Sequence, residues 1–178
     1  TIFSCDRGIP SVNLVANPSI ESSTLSEYTV VGSAISQSTD QADDGSNSLL
    51  VNPANSAAGE GFYWTTPGMA GNANDGEVWL TAQCEVRGAS AASAVQIAIQ
   101  DSSGTDIIVG NTISLSTAFQ ALQVKYRLPI TGSASYRVIV RTTTQHNINF
   151  YVDKIHVEQR FGDSTYAPYV DGAQGLNY

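Results

Sequence analysis

The stretch Val78-Trp-Leu-Thr-Ala-Gln-Cys-Glu-Val86 decides the fold class, because apolar and polar side chains alternate along it. Leu80, Ala82 and Cys84 fall on one parity, and Gln83 and Glu85 fall on the other. This period of two is typical of a β-strand that buries one face and leaves the other in water. Cys84 is therefore interpreted as a small buried hydrophobe rather than a reactive thiol.

The same alternation recurs along the chain, and convincing helical periodicity is nearly absent. Turn-forming pairs such as Asp44-Gly45 and Ser103-Gly104 separate the alternating runs. The pattern predicts strands at 11–16, 27–36, 47–52, 60–66, 78–87, 94–101, 106–113, 122–128, 135–142 and 147–159. So many strands in one domain predict an all-β fold, a two-sheet antiparallel β-sandwich.

Composition limits the partners. The 178 residues suit one domain with a sizeable core, only 13% of them are charged, and the net charge is −8. We expect neither nucleic acid nor a membrane as a partner, since the first needs a basic footprint and no run reaches the length of a membrane-spanning helix. The chain has no signal-peptide pattern and no initiating Met, which suggests a mature, processed or excised chain. The state of Cys5 stays open.

Two segments far apart in sequence each couple a β-rich run to one acid. The first, Asn13-Leu-Val-Ala-Asn-Pro-Ser-Ile-Glu21, ends in Glu21, and the second, Asn149-Phe-Tyr-Val-Asp-Lys-Ile-His-Val-Glu158, contains Asp153. If the two segments pair, the termini close one domain and bring together two hard oxygen ligands of the kind calcium prefers. The apolar parity of the second segment changes near Asp153, which indicates either a bulge there or burial on both faces.

Five segments in order resemble the jelly-roll carbohydrate-binding modules that accompany many secreted glycoside hydrolases. Besides 13–21 and 78–86, they are Asp44-Gly-Ser-Asn-Ser-Leu-Leu-Val51, Phe119-Gln-Ala-Leu-Gln-Val-Lys-Tyr126 and Phe150-Tyr-Val-Asp-Lys-Ile-His-Val157. The resemblance covers residues 13–158 and implies a jelly roll. It also implies a structural calcium ion held by Glu21, by the Asp44-Gly45-Ser46 turn mostly through main-chain oxygen, and by Asp153. The alternative is that Glu21 and Asp153 are ordinary solvated acids at strand ends.

The resemblance also implies a glycan site on one sheet face, where aromatic rings lie against sugar rings and amides or arginines bond the hydroxyls. Trp79 is the leading aromatic candidate, because its parity is opposite to that of Leu80 and Cys84; packing under a loop is the alternative. In Phe62-Tyr-Trp64, the Trp is either a ligand contact or a core residue. The full set of candidates is Tyr63, Trp64, Trp79, Gln83, Arg87, Gln96 and Arg137.

The end of the chain, 157–172, resembles the way such domains finish inside bacteriophage tail and virion proteins. The matching positions are Glu158, Thr165, Pro168, Tyr169, Asp171 and Gly172, although the usual Trp-containing continuation is missing. We expect an N-terminal arm or linker at 1–12, the jelly roll at 13–159 and an extended tail at 160–178. It remains open whether this tail docks on its own domain or on a neighbouring subunit.

These features together predict a non-catalytic decoration or adhesion protein at a virion surface or outside the cell. Its partners would be other virion subunits, contacted through the terminal segments, and host or environmental polysaccharide. The first alternative is a glycan-binding module of a secreted polysaccharide-degrading enzyme, and the second is a purely structural subunit with no ligand. Catalysis is not expected, since no pair of carboxylates and no nucleophile lies in a recognisable motif.

Overall fold

A computed structural model describes residues 12–71, 77–91, 94–130, 132–162, 165, 166 and 169. All the regular structure within these ranges is β. The strands are β1 (Tyr28–Val31), β2 (Ser33–Ser38), β3 (Ser48–Pro53), β4 (Gly61–Thr65), β5 (Val78–Gly88), β6 (Ala94–Gln100), β7 (Asp106–Ser114), β8 (Gln120–Arg127), β9 (Arg137–Thr142) and β10 (Phe150–Phe161).

The ten strands form two five-stranded sheets in which every pairing is antiparallel. The front sheet has the order β1-β4-β9-β6-β7, and the back sheet has the order β2-β3-β10-β5-β8. This architecture confirms the predicted all-β sandwich. Both sheets mix distant parts of the chain, so the two outer faces collect side chains that are far apart in sequence.

The core lies between the inner faces of the two sheets. Phe62 and Val140 come from the front sheet, and Leu80, Cys84 and Phe150 come from the back sheet; all of them are buried. These residues occupy the apolar parity that the sequence alternation picks out. Burial of aliphatic and aromatic side chains of this size stabilises a fold by roughly 1.5–3 kcal/mol each. Cys84 is a buried free thiol, as interpreted from the sequence.

One predicted strand, 27–36, forms two separate strands in the structure. The run 27–36 is broken at Gly32, which has a φ of 55° and separates β1 in the front sheet from β2 in the back sheet. Left-handed backbone of this kind favours glycine. A Cβ at this position would also lie 3.0 Å from the Cγ atom of Glu60. The chain therefore passes from one sheet to the other here.

The N-terminal segment runs beside β10 without being a regular strand of the sheet. The Leu14 N–H donates to the Val157 carbonyl at 2.7 Å, and the Asn13 side chain bonds both the Ile155 carbonyl (2.7 Å) and the Val157 N–H (3.0 Å). The Asn13 side chain thus makes two hydrogen bonds to the β10 backbone of the kind that a neighbouring strand would make. The predicted contact between the two ends of the domain is present, although the part of the predicted strand 11–16 that the structure describes is irregular.

The change of parity in β10 comes from a bulge, and both faces of the strand are buried as well. The register against β5 shifts by one residue between Asp153 and His156, and Lys154 has a φ of 51°. Val152 and Val157, on either side of the shift, both face the core. Asp153 and His156, at the two ends of the shift, are also buried. The two alternatives left open by the sequence are therefore both realised.

Candidate functional site

The front sheet brings three of the predicted glycan-binding residues to one outer face. Tyr63 lies on β4, Arg137 on β9 and Gln96 on β6, and all three are half-buried. The guanidinium carbon of Arg137 lies 4.7 Å from the centroid of the Tyr63 ring. This distance is within the range of a cation–π interaction, so the ring and the guanidinium hold each other in place.

Strand register arranges this face in three rows. The central row holds Tyr63, Ile139, Ala98 and Val109. One flanking row holds Thr65, Arg137, Gln100 and Asp106, and the other holds Gly61, Arg141, Gln96 and Thr112. A mainly apolar strip therefore lies between two strips made mostly of hydrogen-bonding side chains.

A hydrogen-bonded network crosses the central row. Arg141 binds Asp106 through both terminal nitrogens, at 3.1 and 2.5 Å, and Gln100 donates to the same carboxylate at 2.8 Å. With its amide oxygen turned towards Arg141, Gln96 accepts from that guanidinium at 2.9 and 2.8 Å. Because Arg141 and Asp106 belong to opposite flanking rows, their bond covers the central row, which explains why Ala98 and Ile139 are buried on an outer face.

The network also sets the charge state of its acid. The hydrogen bond from Arg141 holds the pKa of Asp106 below its usual range against the opposing effect of burial, and Gln100 and the charge of Arg141 add to this. A bidentate arginine–carboxylate pair has a fixed geometry. The face therefore presents a pre-organised set of donors and acceptors, the arrangement that recognition of sugar hydroxyls needs.

The back sheet holds three other predicted ligand residues on its outer face, and each already has partners. Trp79 donates to Glu77 at 3.3 Å and lies 6.0 Å from the Lys125 ammonium. Gln83 accepts from Gln123 at 3.2 Å. Arg87 bonds Gln41 and lies 5.7 Å from the ring of Phe119.

Much of the rest of this back face is buried. Thr81, His156 and Glu158 are between 2% and 3% exposed. The ring of Tyr169, from the predicted tail, lies 6.4 Å from that of His156. At Tyr169, therefore, the tail contacts its own domain; the other tail positions matched to virion proteins, apart from Glu158 and Thr165, lie outside the described residues.

The seven predicted ligand residues consequently do not form one site. Tyr63, Gln96 and Arg137 lie on the front outer face, whereas Trp79, Gln83 and Arg87 lie on the back outer face. Trp64 is only 7% exposed and belongs to the core, which is the second of the two alternatives that the sequence left for it. The alternation of each strand gives the parity of a side chain but not the sheet to which the strand belongs.

The three residues of the predicted calcium site converge on one corner. Both Glu21 and Asp153 approach the loop at residues 43–47. The Asp153 carboxylate accepts the N–H groups of Asp43 (2.7 Å), Asp44 (2.9 Å) and Lys154 (2.7 Å). Glu21 accepts the N–H groups of Ser46 and Asn47 on one oxygen and the Asn47 amide on the other.

These contacts show what a cation would meet. Ser46 turns its N–H, rather than its carbonyl, towards Glu21, and the Lys154 ammonium pairs with Asp43 at 2.7 Å. Glu21 Oε2 and Asp153 Oδ1 each accept one hydrogen bond and so retain lone-pair capacity. No group of three or more His, Cys, Asp or Glu in the described part of the chain is arranged to hold a metal. Calcium at this corner stays a prediction.

The pKa values of the two acids are shifted in opposite directions. Burial raises the pKa of Asp153 to about 6, although the N–H groups of Asp44, Asp43 and Lys154 favour its charged form. Burial also opposes the charged form of Glu21, but the Ser46 N–H and the two Asn47 donors hold its pKa below its usual range. Hydrogen bonds to backbone N–H groups thus join both ends of the domain to the same loop.

Solved structures with the same architecture come from two settings. The CBM22-1 xylan-binding domain of Paenibacillus barcinonensis Xyn10C matches with a TM-score of 0.62 and 16% identity, over 87% of this chain and 97% of that domain. A C-terminal family 22 carbohydrate-binding module of Clostridium thermocellum Xyn10B matches with a TM-score of 0.60 and 23% identity, over 88% and 100%. The chain has the jelly-roll fold of the carbohydrate-binding modules.

This module-like fold also occurs inside a larger phage protein. The enzymatically active domain of bacteriophage CBA120 tailspike protein 4 matches with a TM-score of 0.62 and 15% identity, over 83% of this chain and 21% of the tailspike chain. No protein-family model matches the sequence, and no curated protein does either. At these identities, the comparisons establish the fold of the module.

Sequence reasoning missed Asp106 as a member of the front-face network. Arg141 and Gln100 share the outward parity of Arg137 and Gln96, so alternation does mark them as polar surface positions. Nothing local marks Asp106, because its contact with Arg141 depends on β7 and β9 lying on either side of β6.

In the described ranges, no helix has the length and apolar character needed to cross a bilayer.

Proposed function

We propose that this chain is a non-catalytic glycan-binding module whose binding surface is the outer face of the front sheet. The observation that carries the proposal is the Tyr63–Arg137 pair beside the Gln96–Arg141–Asp106–Gln100 network. An aromatic ring flanked by fixed donors and acceptors matches both the apolar faces and the hydroxyl groups of a sugar chain. The back face fits the role less well, because Thr81, His156 and Glu158 are only 2–3% exposed there and the Tyr169 ring lies edge-on to that of His156.

We propose further that the module is displayed on a virion or another extracellular assembly, where it acts in decoration or adhesion. Support comes from the resemblance of residues 157–172 to phage virion proteins and from the fold shared with a phage tailspike. Single glycan contacts of this kind are weak, and many displayed copies raise the effective affinity through local concentration. The second candidate is a module of a secreted polysaccharide-degrading enzyme, which the likeness to xylan-binding domains favours.

Binding by the isolated chain to a panel of polysaccharides, followed by affinity electrophoresis or calorimetry, tests the glycan proposal. Tyr63→Ala should weaken binding by about 5- to 30-fold, because loss of a stacked aromatic partner removes roughly 1–2 kcal/mol. Trp79→Ala, on the back face, is the matched control and should leave binding unchanged. The reverse result would place the site on the back sheet, and no binding to any polysaccharide would refute the proposal.

Copurification separates the two candidate settings. A virion protein should be recovered with assembled particles, through contacts made by the terminal segments. A module of a secreted enzyme should instead be recovered covalently joined to a catalytic domain. Finding neither association would contradict both settings while leaving glycan binding itself to be judged by the binding assay.

Calcium at the Glu21–Asp153 corner is also proposed, in a structural role. Two carboxylates from opposite ends of the domain approach one loop, which supports this proposal. On each carboxylate, one oxygen accepts only one hydrogen bond. A calcium ion supplies a hard positive charge that holds carboxylate and carbonyl oxygens together. The residues that would hold it are Glu21, Asp153 and the 44–46 turn.

A further inference from the structure

Arg137 differs from most of the other cationic side chains of the described residues, because no ion pair neutralises its charge. Within the described part of the chain, no carboxylate forms an ion pair with it. By contrast, acids pair with Arg127, Arg141, Lys154 and Arg160. In a chain with a net charge of −8, the front face therefore carries a local positive charge that the protein does not neutralise.

Two neighbours restrict the position of this charge. The Arg137 guanidinium lies over the Tyr63 ring at 4.7 Å, and the loop at Gly104 packs against it, since a Cβ there would lie 2.8 Å from Nη1. A guanidinium held by an aromatic ring loses little further freedom when it forms hydrogen bonds. Arg137 is therefore pre-organised for a planar, two-oxygen partner.

The same geometry limits stacking of a neutral sugar on Tyr63 to the ring face that the guanidinium does not cover. One face of the ring is occupied by the guanidinium, so a sugar approaching from that side meets a cation before it meets the ring. The neighbouring Arg141 cannot take the role of Arg137, because Asp106 already binds both of its terminal nitrogens. The front face thus offers one unneutralised guanidinium beside neutral hydrogen-bonding groups.

We propose that the front face recognises acidic glycans, with Arg137 binding the carboxylate of a uronic acid residue through its guanidinium fork. The network around Arg141 then binds the hydroxyl groups of the adjoining sugar. Carboxylate geometry matches the arginine fork, and the charge-assisted bonds are stronger than those to hydroxyls. This inference rests on the proposed glycan-binding role of the front face and names the class of its ligand.

Matched ligands test the proposal. Glucuronoxylan and polygalacturonate are compared with the same polymers after chemical reduction of their carboxyl groups, which removes charge and keeps the sugar chain. We expect the acidic forms to bind about 10- to 100-fold more tightly than the reduced forms, the range expected for hydrogen bonds to a charged group. A sulfated polysaccharide, heparin, serves as a further probe; if it binds better than the uronate polymers, the carboxylate assignment is overturned.

Variants separate charge from geometry. Arg137→Gln should abolish the preference for the acidic polymers, and Arg137→Lys should keep only part of it, because lysine retains the charge but not the fork. Arg127→Gln is the matched control, since it removes the same charge from the back sheet, where Arg127 pairs with Glu77. Circular dichroism and the melting temperature confirm that each variant is folded.

The possible results separate a preference for acidic glycans from glycan binding by the front face in general. Equal binding of acidic and reduced polymers, with Tyr63→Ala still harmful, would overturn the acidic preference and leave the glycan-binding role standing. A similar loss in Arg127→Gln would show that the preference reflects net charge rather than Arg137, which also overturns the inference. Absence of binding to every polymer would overturn both.

Discussion

Removing the Asn13 side chain measures how firmly the N-terminal segment is held against the last strand. This side chain donates to the Ile155 carbonyl at 2.7 Å and accepts the Val157 N–H at 3.0 Å. Val157 is fully buried, so its N–H would be left without its partner in Asn13→Ala. A net hydrogen bond contributes about 0.5–1.5 kcal/mol, and a buried group left unpaired costs about 1–3 kcal/mol. We therefore expect Asn13→Ala to lower the free energy of unfolding by about 2–3 kcal/mol.

Urea denaturation and differential scanning calorimetry provide the assay. For a chain of this size, each kcal/mol shifts the melting temperature by about 2–4 °C, so a fall of about 4–12 °C is expected. Asn52→Ala, an exposed position on β3, is the control and should change stability by less than about 0.5 kcal/mol. An Asn13→Ala loss no larger than that of the control would refute the reasoning. A lower denaturant slope would show that the segment has already detached in the native variant.

Four further predictions follow from the described contacts. Trp64→Ala should lower stability by about 3–5 kcal/mol without changing the glycan affinity of the folded fraction, because Trp64 is a core residue; a selective loss of affinity would contradict its placement. In a Cys5→Ser background, Cys84 should react with a thiol reagent only as fast as the chain unfolds, since burial raises the pKa of its thiol; rapid labelling of native protein would contradict its burial. Asp106→Asn should lower the free energy of unfolding by about 1 kcal/mol or less at neutral pH, because it removes the ion pair with Arg141. This pair stabilises the fold only while Asp106 is charged, so the difference from wild type should disappear as the pH falls through the lowered pKa of Asp106. A difference that persists in acid would contradict this. A chelator should lower the melting temperature, and added calcium should restore it. At a calcium concentration of 100 times the dissociation constant, the gain in stability should be about 2.7 kcal/mol. An unchanged melting temperature would show that hydrogen bonds alone hold the Glu21–Asp153 corner.

The fold was largely predictable because its signal is local. Alternation along Leu80, Ala82 and Cys84 requires only that neighbouring side chains of a strand point to opposite faces. There were two exceptions: the run 27–36, which pattern alone reads as one strand, and the predicted strand 11–16, whose described part is irregular. The break at Gly32 depends on the backbone turning into the left-handed region, and an alternating pattern does not record that turn.

The candidate site was only partly predictable, and Gln83 and Gln96 show why. Both are outward-facing glutamines on neighbouring strands in the chain, so the sequence places them on one continuous polar surface. In the structure, β5 belongs to the back sheet and β6 to the front sheet, and the two glutamines face away from each other. Parity gives inside or outside, whereas the assignment of a strand to a sheet depends on long-range pairing.

The sequence by itself determined the β class and the two-layer core, because both follow from local alternation. The contact between the ends of the domain was expected only on the condition that segments 13–21 and 149–158 pair, and the tertiary structure shows it. Only the tertiary structure decided which outer face collects Tyr63, Arg137 and the Arg141–Asp106 network. The physical reason is that these side chains come from four strands, β4, β9, β6 and β7, whose order in the sheet differs from their order in the chain. The charge left unneutralised at Arg137 is a property of that arrangement.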